Sequence, residues 1–235
     1  MLKIIHLDTD LVAIDKPAGL LVHPSRLDAH ERETALATLE RQLGEKLFPV
    51  HRLDKATSGV LLFARSGEAA RHFAAGLEAT EKRYLALVRG WPPEAGAVEH
   101  PLARDPEKPS AGQPQREALT RYHRLATHEW PFRVDERHAT TRTALVEARP
   151  ITGRRHQLRR HFKHIAHPIV GDSTHGKGPL NRAAAAHFGV QRLWLHALSL
   201  RLPGGLSIRA APDEAWGRFL ADGDPAVAAS PDPQY

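Results

Sequence analysis

The stretch HRLDKATSGVLLFA, residues 51 to 64, limits the possible folds of this chain more than any other segment. Its second half is an apolar run that is typical of a buried β-strand. Its first half carries Asp54 directly after two potential cations, His51 and Arg52. A carboxylate that is removed from water must be paired or used, because desolvation raises its free energy. The pattern therefore predicts an acid at the entrance of a buried strand, held there by a cationic group.

The composition favours an anionic partner. The 235 residues include 33 lysines and arginines against 27 acidic residues, a net charge of +6, and 16 histidines that add positive charge as the pH falls. This excess favours nucleic acid. The absence of cysteine excludes disulfides, thiolate metal sites and thiol nucleophiles. No apolar run reaches the roughly 18 residues of a membrane span, and the N-terminus lacks a signal-peptide pattern, so we expect a cytoplasmic protein.

Hydrophobic periodicity predicts a chain of mixed secondary structure. Strands are predicted at residues 2–7, 11–14, 60–64, 84–88, 119–125 and 142–149. Helices are predicted over residues 31–43, ending at Gly44, and over residues 67–80, with Ser66 as N-cap. Residues 91–117 are rich in Pro, Gly and charge and predict a long loop, and Pro-Gly-Gly at 203–205 predicts a hairpin. We expect one α+β domain over residues 1–220 and a disordered tail at 221–235.

The segment ITGRRHQLRRHFKHIAH, residues 151–167, predicts a turn followed by a basic helix. Arg155 and Arg159 are four residues apart and are expected on one helical face, with Leu158 and Phe162 anchoring the other. Such a helix can bind phosphates with some arginines and turn another inward toward a carboxylate such as Asp54. A solvated basic surface is the more common explanation of such a run, and a structural ion pair is the more common role of a lone aspartate.

The histidines of this segment raise the possibility of a metal site. They are His156, His161, His164 and His167. The neighbouring arginines and Lys163 would repel a cation, and no carboxylate accompanies them at a helical spacing typical of a metal site. We therefore predict no metal.

Three segments together resemble the RNA pseudouridine synthases of the group named after the ribosomal large-subunit enzyme A, the RluA family. They are HRLDKATSGVLLFA, KRYLALVRG and TGRRHQLRRHFKHIAHPIVGD, in the family's order, and DLVAIDKPAGLLVHP near the start fits the same group. The resemblance covers residues 2 to 215. It implies an α+β fold, a single catalytic domain whose mixed, mostly antiparallel sheet has flanking helices and a central cleft. It also implies no metal, nucleotide or organic cofactor.

The resemblance implies three catalytic residues. Asp54 is similar to the essential aspartate of the family, Arg159 to the basic residue paired with it, and Tyr84 to the tyrosine that stacks on the flipped base. An arginine next to Asp54 would keep the carboxylate ionised. The ionised acid could attack C1′ of the ribose as a nucleophile or remove the 2′ proton, and the sequence leaves both routes open.

The remaining site residues are predicted to bind RNA. By resemblance, Arg52 enters the helix where the target base stood, and Leu195 lines the pocket. Arg155 and Arg160, on the basic segment, are expected to contact the substrate's phosphates.

Two further stretches, GDSTHGKGPLNRAAAAHFGVQRLWLHA and LATHEWPF, resemble family members that act on uridine 65 in the T stem of tRNA. We therefore expect a monomer that modifies tRNA. A synthase for large-subunit ribosomal RNA and a noncatalytic RNA-binding protein of the same fold are the alternatives. A hydrolase of N-glycosidic bonds would normally need a second acid, and none stands out near these motifs.

Overall fold

The computed structural model describes residues 1–23 and 33–220, and in these ranges it contains a ten-stranded sheet with helices packed on both faces. The strands are β1 (Lys3–Leu7), β2 (Leu11–Lys16), β3 (Phe48–Pro49), β4 (Ser58–Ala64), β5 (Glu81–Arg89), β6 (Ala95–Glu99), β7 (Leu102–Ala103), β8 (Gln115–Arg116), β9 (Leu119–Trp130), β10 (Thr141–Pro150), β11 (Leu195–Arg201) and β12 (Ser207–Arg209). The helices are α1 (Ala35–Leu43), α2 (Gly67–Ala75), α3 (Gln157–His164) and α4 (Gly178–Phe188), followed by a 3₁₀ helix at Glu214–Phe219. The predicted tail at 221–235 and residues 31–32 of the first predicted helix lie outside the described ranges.

The main path of the sheet runs β1-β2-β4-β11-β5-β10-β9-β6, with β12 beside β11 and β3 beside β4. The pair β4–β11 is parallel and the other described pairs are antiparallel, as the predicted fold requires. The short strands β7 and β8 form a separate hairpin-like pair.

A close approach of β4 and β11 forms the centre of the sheet. Gly59 is paired with Ala197 and has a φ of +107°. A Cβ atom at this position would collide with the backbone carbonyl of Ala197. Glycine is therefore needed at this position of β4, because only a residue without a side chain lets the two strands meet. This contact sets the start of β4 beside the start of β11.

The two faces of the sheet bury different sets of residues. On one face Ala86 and Val88 of β5 pack against Leu158 and Phe162 of α3. On the other face the alternate residues of β5 pack against α4, the 3₁₀ helix and the aromatic cluster around Trp194. Helix α3 is thus fixed to the sheet by its apolar side, as its spacing predicted.

Several predicted bounds need correction. Helix α2 ends at Ala75 instead of residue 80, because the chain turns at Gly76 and the Thr80 hydroxyl donates to the Gly76 carbonyl at 3.0 Å. The predicted loop 91–117 contains β6, β7 and β8. Strand β6 pairs with β9, and β7 pairs with β8, and local composition does not reveal these hydrogen bonds. Helix α3 begins at Gln157, so Arg155 precedes it, and the predicted shared helical face of Arg155 and Arg159 is wrong.

Two local predictions are confirmed: α1 ends at Gly44, and the Ser66 hydroxyl accepts from the Ala69 amide at 3.1 Å to cap α2. Helix α1 begins at Ala35 rather than at residue 31, because the Thr34 side chain caps it there by accepting from the Ala37 amide. The turn at residues 203–205 joins β11 to β12. Helix α4 has no counterpart among the predicted elements. Within the described ranges, the helices are too short or too polar to cross a lipid bilayer.

Candidate active site

Asp54 lies at the entrance of β4, in the turn that precedes the strand. Leu53 before it is buried in the core, and the Thr57 amide closes the turn by donating to the Asp54 carbonyl at 3.0 Å. The side chain of Asp54 is 26% exposed and lines a cavity of about 980 Å³. The carboxylate is therefore held by a rigid element while it stays accessible to a ligand.

Arg159 of α3 joins two carboxylates. Its Nη1 donates to Asp54 Oδ2 at 2.9 Å, while Nε and Nη2 donate to the two oxygens of Asp172 at 2.8 and 2.9 Å. Burial raises the pKa of Asp172, but hydrogen bonds and charge from Arg159, with backbone N–H groups, outweigh it, so the pKa lies below its usual value. Asp172 therefore stays ionised and fixes the guanidinium that reaches Asp54.

Asp172, in the loop that follows Ile169, has no predicted role. Its side chain is completely buried and belongs to the segment GDSTHG. The signal that could have identified it is charge balance, because a buried arginine that binds a half-exposed acid needs a second anion.

His156 lies next to Asp54, and His175 contacts the far side of its ring. Nε2 of His156 lies 3.8 Å from Asp54 Oδ1, the oxygen that Arg159 does not bind, and Nδ1 of His156 lies 3.0 Å from Nε2 of His175. From the sequence, His156 is a candidate only for metal binding, and His175 has no predicted role.

Lys16 of β2 binds the turn that carries Asp54 on the side away from the cavity. It is fully buried, and its ammonium donates to the carbonyls of Pro17, Leu20 and Lys55 at 2.8, 2.9 and 3.0 Å. Burial lowers the pKa of Lys16 to about 7, and the charge of Asp54 opposes this shift. The KPAG segment is thereby attached to the residue that follows Asp54.

Tyr84 and Leu195 line the cavity beside the acid. They come from neighbouring strands, since Tyr84 of β5 pairs with Ala197 of β11. Tyr84 packs against the two core clusters that contain Ala86 and Ala197. Burial raises the pKa of the Tyr84 phenol above its usual value, and the charge of Asp54 adds to this, so the hydroxyl stays protonated.

The predicted RNA-binding arginines are placed differently. Arg52 is exposed and lines the cavity. Arg155 also lines it, and forms ion pairs with Glu107 and with Asp105, the latter at 3.7 Å. Arg160 does not line the cavity, because its guanidinium donates to the Ala103 carbonyl at 2.8 Å.

The histidines of the basic segment have different partners. The ring nitrogens of His161 face the Thr120 hydroxyl and the His100 carbonyl, and His164 stacks on His100. Among residues 1–23 and 33–220, no three histidine or acidic side chains are grouped as metal ligands would be.

Comparison with known proteins identifies the family of this chain. Residues 10–164 match the sequence model of the RNA pseudouridylate synthase family. The tRNA pseudouridine synthase C of Vibrio cholerae is 46% identical over 236 residues, which cover 94% of this chain and 96% of that protein. The protein of the same name from Salmonella typhi is 45% identical over 94% of this chain and 89% of its own length. The solved structure of human RNA Pseudouridylate Synthase Domain Containing 1 is similar with a TM-score of 0.72 and 25% identity, covering 100% of this chain and 97% of that one. The chain therefore belongs to the RNA pseudouridylate synthases of the RluA type, a family of isomerases, and has their fold.

Proposed function

We propose that this protein converts uridine to pseudouridine in tRNA, at uridine 65 of the T stem, with Asp54 as the essential acid. The observation that carries the proposal is the geometry of Asp54. One carboxylate oxygen is bound by Arg159 at 2.9 Å, and the side chain faces a cavity of about 980 Å³, large enough for a nucleoside. The names of the most similar relatives listed above support tRNA as the substrate.

The reaction breaks the bond from C1′ to N1, turns the free uracil and joins C1′ to C5. A proton then leaves C5 and N1 gains one, so the product has the same atoms as the substrate. No atom is gained or lost, so acid, base and electrostatic assistance from side chains are sufficient. Arg159 holds the carboxylate of Asp54 in place through a hydrogen bond of 2.9 Å. That carboxylate acts either by adding to C1′ or by taking the 2′ proton, and both routes need the same position next to the sugar.

The target base must leave the helix before it can reach Asp54, at a cost of a few kcal/mol. Tyr84 offers an aromatic face for the extruded uracil, and stacking of this kind contributes about 1–3 kcal/mol per base. Leu195 gives the pocket an apolar wall, and the exposed Arg52 is free to enter the space that the base vacates.

A hydrolase of the same bond is less compatible with the cavity. The described carboxylates that line it are Asp54 and Glu107, and Glu107 is paired with Arg155. A hydrolase normally needs an acid and a base on opposite sides of the sugar. An isomerase can use one acid for the whole reaction.

The direct test is incubation of the purified protein with unmodified tRNA transcripts and, separately, with large-subunit ribosomal RNA transcripts, followed by chemical mapping of pseudouridine. Pseudouridine at position 65 of tRNA is the expected product, and a tRNA with cytidine at position 65 is the matched control that yields none. Modification of ribosomal RNA alone would assign the protein to the other substrate, and modification of neither would contradict the proposed function.

A further inference from the structure

The backbone of His156 is unusual. It has a φ of 53° and a ψ of 27°, which is the left-handed region, and its side chain makes no capping hydrogen bond to α3. Non-glycine residues adopt this conformation at a cost in free energy and are found preferentially at functional sites. Here the conformation places the imidazole between Asp54 and His175.

The protonation of the two rings follows from their surroundings. Burial lowers the pKa of His156 below its usual value, and burial lowers the pKa of His175 to about 4, so both rings are neutral at pH 7. Each ring then carries one N–H. The charged groups that face the pair are Asp54, Arg155, Arg159, Lys163 and Asp172.

The charge of Asp54 selects one of two hydrogen-bonding arrangements. If His156 donated to His175 from Nδ1, the lone pair on its Nε2 would face the Asp54 carboxylate, which is repulsive. If His175 donates from Nε2, His156 carries its proton on Nε2 and points this N–H toward Asp54 Oδ1. The second arrangement is favoured, because the N–H dipole then attracts the carboxylate.

Asp172 connects this pair to Arg159. Its Oδ1 accepts from the backbone amide of His175 at 2.8 Å, and the same carboxylate binds the Arg159 guanidinium. One buried acid therefore fixes both contacts to Asp54, with Arg159 at Oδ2 and His156 at Oδ1.

We propose that His175 is a positioning residue that fixes the proton of His156 on Nε2, and that His156 orients the Asp54 oxygen that Arg159 leaves free. The inference rests on the proposed role of Asp54. The separation of 3.8 Å between His156 and Asp54 exceeds a hydrogen bond. Hydrogen bonds between catalytic groups are often long before the substrate binds and shorten in the complex.

The test compares His175→Phe with His175→Gln. Phenylalanine fills the same space without a donor, whereas the glutamine amide can donate to His156 Nδ1 from about the position of the lost ring nitrogen. The single-turnover rate of pseudouridine formation in tRNA is measured together with the dissociation constant for tRNA. We expect His175→Phe to lower the rate about tenfold, the worth of one neutral hydrogen bond, with affinity unchanged, and His175→Gln to recover most of the rate.

Equal rates for wild type and His175→Phe, or equal losses in both variants, would overturn the inference. If His175→Phe fails to fold by its melting curve, the comparison passes to His156→Leu and His156→Gln, of which only the second keeps a donor toward Asp54. A rate loss confined to leucine supports the inference, and equal losses overturn it. Wild-type protein that modifies no RNA would overturn the proposed function instead, so the two failures are distinguishable.

Discussion

Nη1 of Arg159 lies 2.9 Å from Oδ2 of Asp54, although 105 residues separate the two in the chain. The opposite edge of the same guanidinium binds Asp172 through two hydrogen bonds. A planar guanidinium with five donors can bind two carboxylates at once, which an ammonium group cannot do with the same fixed geometry. The orientation of Asp54 therefore depends on α3 and on the loop that carries Asp172.

Replacing Arg159 with lysine should separate charge from geometry. Arg159→Lys keeps a positive charge near both acids, but the lysine ammonium cannot bind the two carboxylates at once in one plane. We therefore expect kcat to fall by more than the roughly tenfold loss typical of one contact, with a smaller change in KM. Steady-state kinetics on tRNA measure this. Arg160→Lys is the matched control on the same helix, because Arg160 does not contact Asp54. Similar kcat values for the two variants would contradict the role of Arg159.

Tyr84 should act chiefly through its aromatic face. Tyr84→Leu removes both the ring and the hydroxyl, whereas Tyr84→Phe removes only the hydroxyl. We therefore expect leucine to cost about 1–3 kcal/mol more than phenylalanine in kcat/KM, the range measured for base stacking. Parallel kinetic measurements on both variants test this, and an equal loss in the two would show that stacking is not what Tyr84 supplies.

Arg155 should contribute to RNA affinity more than to catalysis. Arg155→Ala removes one cation from the cavity wall, so we expect weaker binding and a salt dependence whose slope is smaller by about one unit. Binding isotherms over a range of salt concentrations measure the slope.

A substitution at Glu107 is a control that should change the affinity for RNA in the opposite direction. Glu107→Gln releases Arg155 from the closer of its two acidic partners, while Asp105 remains, and should raise the affinity for RNA. Binding that is unaffected by either substitution would remove Arg155 from the RNA-binding surface.

The burial of His161 predicts that the stability of the fold depends on pH. It is fully buried, and burial lowers its pKa to about 4, from about 6.5 in the unfolded chain. Between about pH 6.5 and pH 4, His161 is protonated in the unfolded chain but stays neutral in the folded chain. The contribution of His161 to the free energy of unfolding is therefore fully present above about pH 6.5 and is lost as the pH falls toward 4.

Urea unfolding at pH 7 and at about pH 4.5 measures this effect, for which we expect a contribution of about 2 kcal/mol from His161. His161→Gln cannot titrate and should show a smaller difference between the two pH values. An equal difference in wild type and variant would contradict the assignment to His161.

The sequence allowed the position of Asp54 to be predicted because local signals there agree. Residues 51–64 contain a polar cluster that is followed directly by an apolar run, so the start of a buried strand and the acid beside it can both be read from one short segment. The same holds for the end of α1 at Gly44 and the cap of α2 at Ser66, which depend on neighbouring residues. The pairing of Asp54 with Arg159 came from the family resemblance, since no local pattern can report a contact across 105 residues.

The parts that sequence reasoning missed depend on tertiary contacts. Strand β6 exists because β9 pairs with it, and the helical start at Gln157 follows from the left-handed backbone of His156. The roles of Asp172 and His175 were missed for a related reason. Their partners lie on α3 and in the turn before it, and only the folded chain brings them together.

The most direct test of the central claim is the turnover of Asp54→Asn on tRNA. Asparagine has the size of aspartate and Arg159 keeps its partner Asp172, so the fold and the RNA-binding surface should be preserved. The amide can neither attack C1′ nor accept the 2′ proton. We expect no pseudouridine to form, with RNA affinity within a few-fold of wild type. Appreciable pseudouridine formation by this variant would contradict the account.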